Sequence, residues 1–212
     1  VAAAAAMVSQ PCYSAAKVSA ERAAELEARG RKLLAAAEAG DADALCEVGL
    51  ILMSNAVRKT EQNRAFGYLK RAAEQRHPRA LWALGSCYHL GIGTPKDVPQ
   101  AVRSYSEAAE LGEHESQHRL GVILATGEGG VPVDIPGAVR CWTNAAQANN
   151  AKAMLALGEL YAYGNAEHNV SADRIAALHW LRRAAAGPDA LTAAVAAQVI
   201  VKLEGTEQSL HE

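Results

Sequence analysis

Residues 80–93 read Ala80-Leu81-Trp82-Ala83-Leu84-Gly85-Ser86-Cys87-Tyr88-His89-Leu90-Gly91-Ile92-Gly93, and their pattern returns along the chain. The same phase holds in Ala44-Leu45-Cys46-Glu47-Val48-Gly49, Ser116-Gln117-His118-Arg119-Leu120-Gly121 and Ala153-Met154-Leu155-Ala156-Leu157-Gly158. The marker glycines Gly49, Gly85, Gly121 and Gly158 stand 36, 36 and 37 residues apart. Three residues past each comes Leu52, Tyr88, Leu124 or Tyr161, and six past comes Asn55, Gly91, Gly127 or Gly164. Gly and Asn tolerate the left-handed conformation that ends a helix, so each unit opens with a helix of about 13 residues.

A second helix follows in each unit, marked by Ala65, Ala101, Ala138 and Ala177. Four residues on lie Leu69, Tyr105, Trp142 and Leu181; seven on come the pairs Ala72-Ala73, Ala108-Ala109, Ala145-Ala146 and Ala184-Ala185. Offsets of four and seven share one helical face. Four before the marker stand Glu61, Asp97, Asp134 and Asp173. Asp suits the N-cap and Glu the first turn, where the helix dipole favours negative charge. Pro99 and Pro136 fit the first turn, where the missing N–H costs nothing.

From marker Gly to marker Ala the distances are 16, 16, 17 and 19; from marker Ala to the next Gly they are 20 throughout. Length variation therefore sits in the loop inside each unit, and the loop between units is fixed. An isolated helix pair leaves its apolar stripes wet, so several pairs must stack to bury them. At the ends, Ala36-Ala37 lie 36 residues before Ala72-Ala73, and Ala197 falls 20 after Ala177. The expected layout is a flexible segment over 1–16, a capping helix over 17–39, four repeats at about 40–76, 77–112, 113–148 and 149–187, a closing helix over 188–204 and a frayed tail over 205–212.

Composition agrees with an all-α fold. Of 212 residues 47 are Ala, the strongest helix former, 50% are apolar and 5% aromatic. The apolar share excludes a disordered chain. A net charge of −2 argues against nucleic-acid contact, which needs a basic stripe. No stretch is long and apolar enough to span a membrane. Cys12, Cys46, Cys87 and Cys141 form no Cys-x-x-Cys pair, which favours free thiols and a reducing compartment. The start, with Ala2–Ala6 before Met7 and no acidic residue before Glu21, is consistent with the remainder of a processed targeting peptide, a trimmed start or translation from Met7.

The pattern resembles the Sel1-like repeat family, a relative of the tetratricopeptide repeat, over about residues 40–200. Its carriers are Ala80-Leu81-x-x-Leu84-Gly85-x-x-Tyr88-x-x-Gly91-x-Gly93 with Asp97-x-x-x-Ala101, and the Ala-Ala-Glu-x-Gly run at 108–112. The inner loop is longer than a tetratricopeptide repeat allows. Unit one departs, with Asn55 in place of Gly and no Gly-x-Gly; unit four has a longer loop, Asn165–Ala172. The resemblance implies a right-handed α-solenoid of about four helix-turn-helix repeats with a cap at each end. Cysteine-rich members pair a cysteine in each helix of a unit, and Cys46 and Cys87 lack such mates.

His114-Glu115-Ser116-Gln117-His118 matches His-Glu-x-x-His, in which two histidines one turn apart bind zinc and the glutamate activates water. The plainer reading is two surface histidines: Gly121 already belongs to the repeat, and Leu124 stands where one protease class has a third histidine. No phosphate-loop or dinucleotide fingerprint occurs. Trp142 and Tyr105 read as packing, the Gly91 and Gly127 runs as turns, and Arg182-Arg183 as a solvated helix end.

In the related repeat the first helix of each unit lines the concave side. Transferred by register, the outward positions are Asp43, Cys46, Leu50 and Met53; Arg79, Trp82, Ser86 and His89; Glu115, His118 and Val122; and Lys152, Leu155 and Glu159. Trp82 is the large aromatic among them and the candidate hot spot. The expected function is a non-enzymatic scaffold or adaptor holding a protein partner in this groove or along an edge, as a subunit of a larger hetero-oligomeric assembly, in the mitochondrion in preference to the cytoplasm. No catalytic residue, metal or cofactor is expected. The rival is a hydrolase, either the zinc peptidase above or a β-lactam-binding relative.

Overall fold

The computed structural model describes residues 27–55 and 58–208. The segment expected over 1–16, the first part of the cap over 17–39 and Cys12 lie outside the described residues. The chain is an α-solenoid. Helix α1 covers 27–38 within the described residues. Four pairs follow: α2 (Ala42–Asn55) with α3 (Lys59–Glu74), α4 (Pro78–Leu90) with α5 (Val98–Glu110), α6 (His114–Thr126) with α7 (Ile135–Gln147), and α8 (Ala151–Tyr163) with α9 (Arg174–Ala185). Helix α10 (Ala190–Gln208) closes the stack and runs on through residues expected to be tail. Each helix packs most extensively on its own partner and then on its neighbour in the chain. No strand occurs among the described residues; one isolated bridge, Asn165 to Val170, braces the longer loop of unit four.

The marker glycines are where the two helices of a unit touch. A Cβ on Gly85 would lie 2.7 Å from the Tyr105 ring, on Gly121 2.5 Å from the Trp142 indole nitrogen, on Gly49 2.7 Å and on Gly158 2.6 Å from Cγ of Leu69 and Leu181. Each of the four large residues is buried, Leu69 and Leu181 completely. Trp142 also donates its Nε1–H to the carbonyl of His118 at 3.3 Å. The core is therefore a ladder of side chains lying on glycines, linked by the buried Ala72, Ala108, Ala145 and Ala184.

The loop inside each unit is pinned at both ends. The N–H of Asp97 donates to Tyr88 O, of Asp134 to Leu124 O and of Asp173 to Tyr161 O, at 2.8–2.9 Å. The same aspartates cap α5, α7 and α9 by accepting from the N–H three residues on. Unit one differs as its Glu implies: Glu61 sits in the first turn of α3 and accepts from Arg58 N–H. Residues between the pins are free to vary in number.

The loops between units are one turn used four times. Asp41, His77, Glu113 and Asn150 donate their N–H to Ala36, Ala72, Ala108 and Ala145 O, while Gly40, Arg76, Gly112 and Asn149 donate to Ala37, Ala73, Ala109 and Ala146 O. This is the Schellman pattern, and its pivot residue has φ of +96°, +58°, +84° and +63° in turn. The residue after the pivot caps the next helix with its side chain: Asp41, His77, Glu113 and Asn150 accept from Ala44, Ala80, Ser116 and Ala153 N–H.

Two substitutions follow from the glycine contacts. Gly85→Ala gains about 1 kcal/mol of helix propensity, but the added methyl meets the Tyr105 ring, and overpacking of this kind costs about 1–3 kcal/mol; urea unfolding should show a net loss. Gly67→Ala, in exposed α3 with nothing within 4 Å of the new atom, should gain about 0.5–1 kcal/mol. At the unit-one pivot, Arg76→Gly removes the side chain from left-handed backbone and should raise stability by up to about 1 kcal/mol in the same measurement.

Candidate protein-binding face

The first helices α2, α4, α6 and α8 present one face of the solenoid, and the inter-unit turns form a rim of it. At the junction of units two and three an open cleft of about 700 Å³ is lined by His77, Pro78, Arg79 and Trp82, by residues 111–115, and by Lys152 of unit four. A second cleft of about 500 Å³ adjoins it, with Asp43, Cys46, Glu47 and Leu50 on one wall and His77 and Arg79 on the other. Arg79 stands between the two.

Polar contacts tie the units together along this face. His77 Nδ1 accepts from Ala80 N–H at 3.2 Å, so its proton is on Nε2, which donates to Asp43 at 3.0 Å. Glu115 receives hydrogen bonds from Asn150 Nδ2 at 3.1 Å and Lys152 Nζ at 3.3 Å, with the Arg119 guanidinium 3.7 Å away. Further along, Glu128 bridges Lys96 at 2.8 Å and His89 at 2.9 Å, and these hydrogen bonds hold its carboxyl below the usual range. Ser86 Oγ is spent on Trp82 O and Tyr105 OH.

Of the residues predicted for this face, Arg79, Trp82, Glu115 and Lys152 come together in one cleft. Ser86 and His89 sit farther along α4 in internal contacts, and Leu50, Met53, Val122, Leu155 and Glu159 are half-buried. Burial raises the Glu159 carboxyl. Two predicted positions are corrected. Cys46 is only 3% exposed and His118 only 8%, so neither is an open groove residue, and the reading of His118 as a surface histidine fails with it. Pro78, Leu111, Glu113 and His114 were missed; the signal for them was the 36-residue recurrence of the capping positions 41, 77, 113 and 150, which places each cap at the rim of this face.

The two histidines of the His-Glu-x-x-His stretch stand in different surroundings. His114 is exposed with Nδ1 3.4 Å from Gln117, whereas His118 is buried and its Nδ1 has no partner. Among the described residues no three His, Cys, Asp or Glu are placed to hold a metal ion. Cys46, Cys87 and Cys141 are free thiols, so the paired-cysteine plan is absent among the described residues. No described helix is long and apolar enough to cross a membrane.

Burial holds the His118 imidazole down to about 4, against 6.5 for a free one. Between those values the unfolded chain binds a proton that the folded chain refuses, so this contribution is full above about 6.5 and lost as pH falls toward 4. At pH 5 the loss should reach about 2 kcal/mol. The stability difference between pH 7 and pH 5, read by urea unfolding, should shrink by about that amount in His118→Gln.

The Sel1 repeat model matches at residues 42–77, 78–113, 114–150 and 151–189, more than half of the chain. A protective antigen of uropathogenic Escherichia coli superposes with a TM-score of 0.68 at 31% identity, covering 76% of this chain and 34% of that one. A Sel1 repeat protein of Oxalobacter formigenes gives 0.65 at 26% identity, covering 73% and 61%. Among curated proteins, the mouse DAP3-binding cell death enhancer 1 is 29% identical over 85 residues, 40% of this chain and 16% of that protein. Recurring glycine contacts, recurring turns and the four matched segments coincide, and the chain belongs to the Sel1 repeat family.

Proposed function

We propose that this protein is a non-enzymatic scaffold or adaptor that holds a protein partner on the face of its first helices, as a subunit of a larger assembly. The observation that carries the reading is the open cleft to which three successive units contribute Arg79, Trp82, Glu115 and Lys152. A stack of helix pairs, each packed on the next, offers such a surface. The cleft holds Arg79 and Trp82, residue types enriched at interface hot spots. We place the protein in a reducing compartment, consistent with its free thiols. The support for a mitochondrial over a cytoplasmic setting is the likeness to the mouse protein named for binding DAP3. The hydrolase alternatives find no gathered set of catalytic or metal-binding groups among the described residues.

Co-purification from the native source should yield a stoichiometric partner, identified by mass spectrometry; turnover by the isolated chain would instead support an enzyme. Trp82→Ala should weaken that complex by about 2 kcal/mol or more and leave the helical circular dichroism unchanged. Unaltered affinity would move the interface to an edge or to the opposite side.

A further inference from the structure

In the cleft between units two and three, Arg79 is a cationic side chain without a hydrogen-bond partner among the described residues, whereas both carboxylates accept hydrogen bonds. Arg79 is exposed and has no hydrogen bond or ion pair with any described residue. The carboxylates on the same walls are committed. Glu113 accepts from Ser116 N–H at 2.6 Å and caps α6. Glu115 is held by Lys152, Asn150 and Arg119. Beside Arg79 lie the apolar surfaces of Pro78, Trp82 and Leu111. The Trp82 Nε1–H is buried without an acceptor, and the ring packs against the core beside Leu81, Leu84 and Tyr105 while another part of it lines the cleft. On the other side of Arg79, Asp43 and Glu47 line the adjoining cleft. Carboxylates therefore stand on both sides of Arg79: Asp43, which accepts from His77, and Glu47 toward unit one, and the engaged Glu113 and Glu115 toward unit three.

We infer that this cleft takes an acidic segment of the partner, with an Asp or Glu carboxylate paired to the Arg79 guanidinium and a neighbouring apolar side chain laid on Trp82, Pro78 and Leu111. The inference rests on the scaffold reading and deepens it by naming the chemistry of what is held. Arg presents its donors as a planar fork that matches a carboxylate two bonds at a time, and it pairs at lower desolvation cost than Lys. The apolar neighbours give the segment a surface to lie on beside that pair.

A random peptide display library selected against the full chain tests this. The enriched peptides should carry Asp or Glu next to a large apolar residue. A synthetic peptide of that sequence should lose about tenfold in affinity with Arg79→Gln, retain part of it with Arg79→Lys, and bind more weakly as salt is raised. Arg79 is exposed, so thermal unfolding of both variants should match the parent. Enrichment without acidic preference, or acidic peptides that bind Arg79→Gln as well as the parent, would overturn the inference. If acid-free peptides emerge and Trp82→Ala abolishes their binding, the scaffold reading stands and the acidic segment falls. If no selected peptide responds to either substitution, both fall.

Discussion

A large side chain lying on a glycine holds every unit of this solenoid shut. Leu69, Tyr105, Trp142 and Leu181 each fill the space that a Cβ at Gly49, Gly85, Gly121 or Gly158 would need. The contact sets how closely the two helices of a unit approach, and it fixes their rotation, because only one face of each helix can meet the other. Leu, Tyr and Trp are interchangeable here since the glycine offers a flat surface rather than a shaped pocket. Once the pair is closed, its remaining apolar stripe can be buried only by the next pair, and stacking becomes obligatory.

The step between pairs is set by backbone hydrogen bonds. The alanine pairs supply the carbonyls of the Schellman turns, and their small side chains let the next helix lie close. Within units the opposite rule holds. There the loop is pinned by an Asp N–H at one end and a Tyr or Leu carbonyl at the other, so length is tolerated between the pins, and unit four uses that tolerance for a short 3-10 turn at Ala166–His168. Rigid between units and permissive within them, the fold keeps a regular face while its opposite rim varies.

That division explains where recognition chemistry can sit. Glu115, Lys152, Asn150, His77 and Asp43 stitch successive units together across the first-helix face, and side chains so engaged shape the surface more than they bind to it. Arg79 stands at the junction of the two clefts with a guanidinium that no described residue engages, and Trp82 lines the first of them beside it. The proposed binding rests on these two side chains.

The sequence by itself determined the helix pairs, their phase and the Asp caps of the second helices, because these follow from hydrogen bonds and burial repeated within one unit; which side chain lies on each marker glycine was decided by the packing of the two helices. Exposure on the first-helix face was decided only by the tertiary structure. Cys46, Trp82, His118 and Leu155 occupy one repeat position, yet Cys46 and His118 are buried while Trp82 and Leu155 are half-exposed. A common register places these residues on the same face, but what covers each is set by the differing side chains of the adjoining unit. The pairing of Glu115 with Asn150 and Lys152 was hidden for the same reason: its partners lie one repeat away, and a repeat pattern specifies where a position falls without saying which polar groups will meet there.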